Sequence, residues 1–447
     1  MQSSVAIMKL TGWGRYPILQ AEVYTPSTEE ELAERVRAGQ AIARGNGRAY
    51  GDPAISRSNT INMRRFNRML AFDPASGMLE TEAGVLLSEV IETFLPRGYF
   101  PLVTPGTSLI TIGGAIAADV HGKNHHRDGS FRASVDWIDL MDGMGVIRRC
   151  SRSVHPELFD YTLGGMGLTG VVLRAAIRLR PVETGWIRQR LIPAANLAAA
   201  MDLFKQHRHV TYSVAWIDSL SSGRDRGRSL VMLGEHAGRH ELTPSQRKAP
   251  FGGDPRRKLA VPLDAPSWAL SRPAVRAFNA GYYWNGRRAS GERLIDWDRF
   301  FYPLDAVLNW NRIYGRRGFA QFQCVLPLAE AEEGLSQVLA TTSRAGAGSF
   351  LAVLKRFGQG EGAFSFPMEG YTLALDFPIR SDTLALMKEL DNITLRHGGR
   401  FYLAKDSRMT QEVLHRSDPR AQAFARWREE TGLKTSFASA QSERLGL

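Results

Sequence analysis

Three glycine-dense stretches constrain this chain's fold more than any other feature. The first, Ala43-Arg44-Gly45-Asn46-Gly47-Arg48-Ala49-Tyr50-Gly51-Asp52-Pro53, places three glycines within seven residues. There the backbone can turn through positive φ and approach a ligand closely. Successive N–H groups exposed in this way form a concave nest for an anion, and Arg44 and Arg48 add positive charge. No Gly-Lys-Ser/Thr follows, so it is not a Walker A loop, and its spacing differs from the Rossmann fingerprint. Alone, such a cluster also suits a plain turn.

The second stretch holds Pro105-Gly106-Thr107 and then Thr111-Ile112-Gly113-Gly114-Ala115-Ile116-Ala117-Ala118-Asp119-Val120-His121-Gly122-Lys123-Asn124-His125-His126. The third is Gly164-Gly165-Met166-Gly167-Leu168-Thr169-Gly170-Val171-Val172. Three such loops between residues 43 and 172 suggest one large cofactor held by several elements. The chain resembles the vanillyl-alcohol-oxidase type of FAD-binding oxidoreductases and, within it, the decaprenylphosphoryl-β-D-ribose 2-oxidase family. The likeness runs from Thr11-Gly12-Trp13-Gly14-Arg15 to Phe437-Ala438-Ser439. Its most specific pieces are His121-Gly122-Lys123-Asn124-His125-His126 and Ala404-Lys405-Asp406-Ser407-Arg408.

Charge narrows the partners. The net charge of +12 and pI near 9.9 call for a partner of opposite sign, such as nucleic acid, an anionic membrane face or a phosphorylated substrate. With no RNA-recognition signature, zinc-finger spacing or lysine-rich tail, nucleic acid is set aside. An anionic leaflet attracts basic patches by roughly 1 kcal/mol per residue, which suits an enzyme of a lipid phosphate. Cys150 and Cys324 are the only cysteines, so no disulfide framework or oxidising compartment is implied. No signal peptide and no apolar run long enough to span a bilayer is evident. A cytoplasmic protein, or one peripheral on the inner membrane, is expected.

Short helical and strand patterns mix without strict βαβ alternation, which argues for an α+β fold. The expected architecture is a two-part FAD-binding domain plus a substrate domain with an antiparallel sheet backed by helices. Residues 1–185 are expected to form the FAD-binding domain and 186–399 the substrate-binding domain. Residues 400–447 are expected to return to the first. Thr28 or Ser27 is expected to cap a helix ending near Gly39, and residues 137–148 to form a hairpin turning at 142–145. From Ser219 to about Pro262 the Gly, Arg, Ser and Pro content suggests a mobile loop. Residues 274–293 are aromatic and basic, and read either as a packing helix and loop or as a lid touching lipid.

The resemblance assigns FAD to Ala43–Pro53, Gly106, Thr111, Ile112, Gly113, Gly114, Ala118, Asp119, Val120, His121, Val172 and Tyr402. Many relatives attach the flavin through a histidine in the first glycine loop; that loop has none here, so FAD is expected to be non-covalent. Metal is not expected: Gly122 and Asn124 disfavour a helix joining His121, His125 and His126, and no carboxylate or cysteine set completes a site.

The resemblance places Lys405 at flavin and substrate. There an ammonium can hold the substrate hydroxyl, or act as base if desolvation lowers its pKa. His121 is the second catalytic candidate and Tyr50 the third. Gln321 and Gln323 lie two apart on a strand and share a face, which suits sugar hydroxyls or simply a solvated polar face. Lys123, Lys355, Trp216 and Thr372 complete the substrate candidates. Where the family carries a cysteine in a Trp-Asn-Ile-Cys-Val-Asp-Phe pattern, this chain has Tyr371-Thr372-Leu373-Ala374-Leu375-Asp376-Phe377, so no thiol adduct can form there.

The implied reaction is FAD-dependent oxidation of a sugar secondary alcohol to a keto-sugar. The favoured substrate is polyprenylphosphoryl-β-D-ribose at its 2-hydroxyl, with an NADH-dependent keto-sugar reductase completing epimerisation to arabinose. The alternatives are oxidation of another sugar, alditol or nucleoside, or a non-catalytic basic membrane-binding module.

Overall fold

A computed structural model describes residues 5–252, 259–266 and 270–447. The fold is α+β, with three main sheets. The first joins strands Ala6–Leu10, Leu19–Tyr24, Thr60–Asn62 and Ile42–Arg44, the last two in parallel. Helix Glu29–Arg37 packs on it through Leu32, Ala33 and Val36. Thr28 caps that helix by accepting from the Glu31 N–H at 3.2 Å, a contact of about 1 kcal/mol. The short strand Ile42–Arg44 feeds directly into the first glycine loop.

The second sheet is antiparallel, ordered Met69–Asp73, Met78–Glu82, Val171–Pro181, Val135–Met141 and Ile147–Ser151, with Tyr99–Pro101 beside the central strand. The expected hairpin is its edge, turning where Gly145 N–H donates to the Asp142 carbonyl at 2.9 Å. The short helix Ile112–Ala117 packs on the central strand and carries the second glycine stretch.

The third sheet has eight antiparallel strands, ordered Gly291–Asp296, Trp186–Ala194, Ser229–His236, Tyr212–Ile217, Val353–Phe357, Gly370–Pro378, Phe319–Pro327 and Arg400–Phe401. Side chains alternate across it. One face (Ala215, Ile217, Leu354, Leu373, Leu375, Phe322 and Cys324) is buried against helices Leu197–Gln206, Ala331–Ala345 and Ser381–Arg396. The other face carries the candidate site.

The loop expected from Ser219 to Pro262 is corrected in part. Strand Ser229–His236 lies inside it, paired along its full length with Trp186–Ala194 and over residues 229–234 with Tyr212–Ile217. Its alternation was masked by the Gly and Arg around it; tertiary pairing, not local propensity, sets this strand. Residues 253–258 of that stretch lie outside the described residues. The C-terminal segment packs on the first sheet, where Ala41 N–H donates to the Ser436 carbonyl at 2.8 Å.

Candidate active site

One cavity of about 680 Å³ runs from the glycine loops to the polar face of the eight-stranded sheet. Its first half is lined by residues 43–51 and Pro53, together with Gly106, Thr111, Gly113, Gly114, Ala118, Val120, His121, Val172 and Tyr402. Among the described residues, the main-chain N–H groups of Gly45, Asn46, Gly47, Arg48 and Ala49 donate no hydrogen bond. Five consecutive free amides beside a cavity suit an anion such as a pyrophosphate. Gly47 holds φ at +63° within this run, a conformation that disfavours a side chain. Gly106 opens onto space with no protein atom within 4 Å of a built Cβ. The residues present therefore fit a dinucleotide.

The two loops are held together by charge. Arg444 donates to Asp52 at 2.8 Å and to Asp406 at 2.9 Å, and Tyr50 N–H donates to the Ala404 carbonyl at 2.9 Å. Burial opposes the Asp406 charge, but Arg444 and the amides of Arg408 and Met409 outweigh it and hold its carboxyl below the usual range. A side chain at Gly51 would meet the Asp406 carbonyl oxygen at 2.2 Å, so the first glycine loop and the Lys405 loop touch only because that position is bare.

Three residues expected at the cofactor line no part of the cavity. Asp52 is the clamp for Arg444 just described. Ile112 is fully buried in the core of the second sheet. Asp119 turns away, accepting from Ser130 Oγ at 2.7 Å, Arg132 N–H at 2.8 Å and Ser365 Oγ. The helix at Thr111 also offers less than its glycines suggest. Ile112 and Gly113 N–H donate to the Val85 and Ala83 carbonyls, and Gly114 N–H to Thr111 Oγ1.

The second half of the cavity is built by strand register. Gln321 pairs with Asp376, Gln323 with Ala374, and Lys355 with Thr372, so all six side chains belong to one face and line the cavity. Gln321 Nε2 donates to Asp376 Oδ1 at 2.6 Å, and Tyr314 OH to Oδ2 at 3.4 Å. Gln323 Nε2 donates to His121 Nε2 at 3.1 Å and to Thr372 Oγ1 at 3.2 Å. That arrangement puts the His121 proton on Nδ1, which is buried and without a partner. Burial first, then Lys355 nearby, pushes the His121 pKa well down, so the ring is neutral.

Lys405 is half-buried, and its Nζ lies 3.7 Å from the Tyr50 ring centroid. Among the described residues this ammonium makes no hydrogen bond. Burial lowers its pKa, and Asp376 partly restores it; burial raises that of Asp376 in turn. Lys355 likewise has no hydrogen-bond partner, and burial brings it down to about 8. Lys123, the other candidate for a sugar or phosphate contact, also lines the cavity, and its Nζ donates to the Phe300 carbonyl and lies 4.3 Å from that ring. Trp216 forms a wall, with Nε1 donating to the Phe350 carbonyl at 3.1 Å.

Sequence reasoning passed over Asp376 as a site residue, although it stands four and two positions from Thr372 and Ala374 on the same strand. The period of two was the available signal. Arg293 and Tyr282, from the aromatic and basic stretch 274–293, also line the cavity, as do Gln189, Asp305 and Trp310; the last three come from distant segments, and no local pattern marks them.

Residues 21–151 match the FAD binding domain family, and the chain is an FAD-dependent oxidoreductase acting on CH–OH groups; the cradle of free amides joined to a wall of lysine, carboxylate and amide groups is its candidate site. The chain is 35% identical to decaprenylphosphoryl-β-D-ribose oxidase of Mycolicibacterium smegmatis, over 98% of this chain and 97% of that protein. It belongs to that oxidase family. It is also 33% identical to an uncharacterized Streptomyces coelicolor protein, over 81% of this chain and 100% of the other. Cytokinin dehydrogenase 2 of Arabidopsis thaliana is 30% identical over 33% of this chain and 30% of its own length.

Proposed function

We propose that this protein oxidises a secondary hydroxyl of a lipid-phosphate-linked sugar, with the 2-hydroxyl of a polyprenylphosphoryl-β-D-ribose as the favoured substrate. The product keto-sugar would pass to a separate NADH-dependent reductase, and the work would take place at an anionic membrane surface. The observation that carries this reading is Lys405: an amine on the cavity wall with no hydrogen bond among the described residues, its pKa lowered by burial, beside the Asp376–Gln321 pair. The substrate named for the Mycolicibacterium relative supports the choice of sugar.

The FAD would be held without a covalent link by the amides of residues 45–49, with Gly106, Thr111, Ala118 and Tyr402 around it. When bound, it supplies the acceptor for the hydride leaving the sugar carbon. Lys405 would hold the reacting hydroxyl and take its proton, since burial favours its neutral form. Asp376 sets how readily Lys405 does so. Gln321, Gln323 and Thr372 offer donors and acceptors to the remaining hydroxyls, and His121, fixed by Gln323, presents a neutral ring. Lys355 is the free cation for a phosphate; Lys123, already engaged, supports the Phe300 segment.

Ala374 and Thr372 are small, and the room they leave on the wall favours one second reading, a different sugar or an alditol. The test is anaerobic mixing of the yellow holoprotein with polyprenylphosphoryl ribose, xylose and arabinose. Bleaching by the ribose compound is expected. Bleaching only by another sugar would replace the substrate, and a colourless protein that binds lipid would replace the enzyme reading with that of a binding module.

A further inference from the structure

Helix Arg272–Arg288 carries four arginines and no acidic residue. Only Val275 and Asn279 on it are buried. One side is fixed to the eight-stranded sheet: Asn279 Nδ2 donates to Asp218 Oδ1 at 2.8 Å, and Tyr283 OH to the Ala194 carbonyl at 3.4 Å. A side chain at Gly286 would strike Leu230 at 2.2 Å, so the helix lies close against the strand there. Away from that side, Trp284 is 54%, Phe278 46% and Tyr282 43% exposed.

At ~100° per residue, Trp284 and Arg288 project away from the Val275–Asn279 stripe. Phe278 and Tyr282 stand on one shoulder, Arg276 and Arg287 on the other. The first shoulder is the rim of the cavity: the Tyr282 ring packs on Trp216 at 4.7 Å and Phe278 on Phe350 at 5.0 Å, and Tyr282, Trp216 and Phe350 all line the cavity. Exposed aromatics interleaved with arginine are poorly placed in water. They match the boundary of a bilayer, where aromatic rings sit at headgroup level and arginines meet anionic lipid. A helix bearing four positive charges, with no acidic residue of its own, fits an anionic lipid surface.

We propose that helix Arg272–Arg288 is an interfacial docking element that lies on anionic lipid and sets the cavity mouth at the leaflet. The substrate's sugar phosphate then enters beside Tyr282 while its chain remains in lipid. The use made of docking rests on the lipid-linked substrate reading; the docking itself does not.

The test uses the full-length holoprotein and vesicles of phosphatidylcholine with or without phosphatidylglycerol. Co-sedimentation is expected with the anionic vesicles, falling as salt rises. The double variants W284S/R288E and R276E/R287E should each bind at least about tenfold more weakly, with unchanged FAD content and unchanged turnover of a short-chain, water-soluble substrate. Equal binding by wild type and both variants, binding to an acidic protein column but not to vesicles, or no binding to anionic vesicles would each overturn the proposal. Vesicle binding without turnover of any lipid-linked sugar would leave docking standing and remove the substrate reading instead.

Discussion

Lys405 Nζ stands 3.7 Å from the centroid of the Tyr50 ring, although the two residues come from opposite ends of the chain. Tyr50 closes the first glycine loop, so this contact joins the cofactor cradle to the proposed chemistry. Contact with the ring face uses none of the amine's hydrogen-bonding capacity, which leaves the Lys405 nitrogen free to meet a ligand hydroxyl.

Replacing Lys405 with methionine keeps the stem and removes the ammonium. The protein should remain yellow, and its reduction by substrate should slow by about 10²–10⁴-fold. Stopped-flow absorbance under anaerobic conditions measures this directly. Wild-type reduction rates would take Lys405 out of the reaction.

Asp376→Asn tests the pairing across the cavity. The carboxylate's charge favours the Lys405 ammonium, while burial disfavours it. Without that charge, Lys405 loses its proton at lower pH. If neutral Lys405 accepts the hydroxyl proton, the rising limb of the reduction rate moves to lower pH in the variant. A limb that does not move would reduce Asp376 to a packing role.

Gly106→Val distinguishes cofactor contact from fold. No protein atom lies within 4 Å of a Cβ there, so the thermal unfolding of the FAD-free protein should be unchanged. FAD affinity should fall at least about tenfold, or ~1.4 kcal/mol. Gly51→Val is the contrast. Its side chain would meet the Asp406 carbonyl at 2.2 Å, and it should destabilise the chain whether or not FAD is present.

Ala374 on the cavity wall predicts resistance to thiol-directed inhibitors. Cys150 and Cys324 are buried away from the cavity, and burial raises their thiols to about 11 and about 12, where little reactive thiolate exists. Intact-mass spectrometry after inhibitor turnover should show no adduct. Ala374→Cys should gain one.

The glycine runs, the Ala404–Arg408 motif and the strand periods are local, and from them the α+β class could be read, as could the placing of the first glycine loop, Lys405 and the Gln321–Gln323 face at one cavity. Backbone freedom and side-chain alternation are properties of a few neighbouring residues. What only tertiary structure decided depends on pairing between distant segments. Register sets Asp376 opposite Gln321, and Arg444 draws Asp52 into a clamp instead of the cofactor site. The Phe300 carbonyl occupies Lys123, and the partners of strand Ser229–His236 order residues whose composition resembles a loop. In each case the partner lies tens to hundreds of residues away, and its hydrogen bonds and burial, absent from any local pattern, fix the side chain's place.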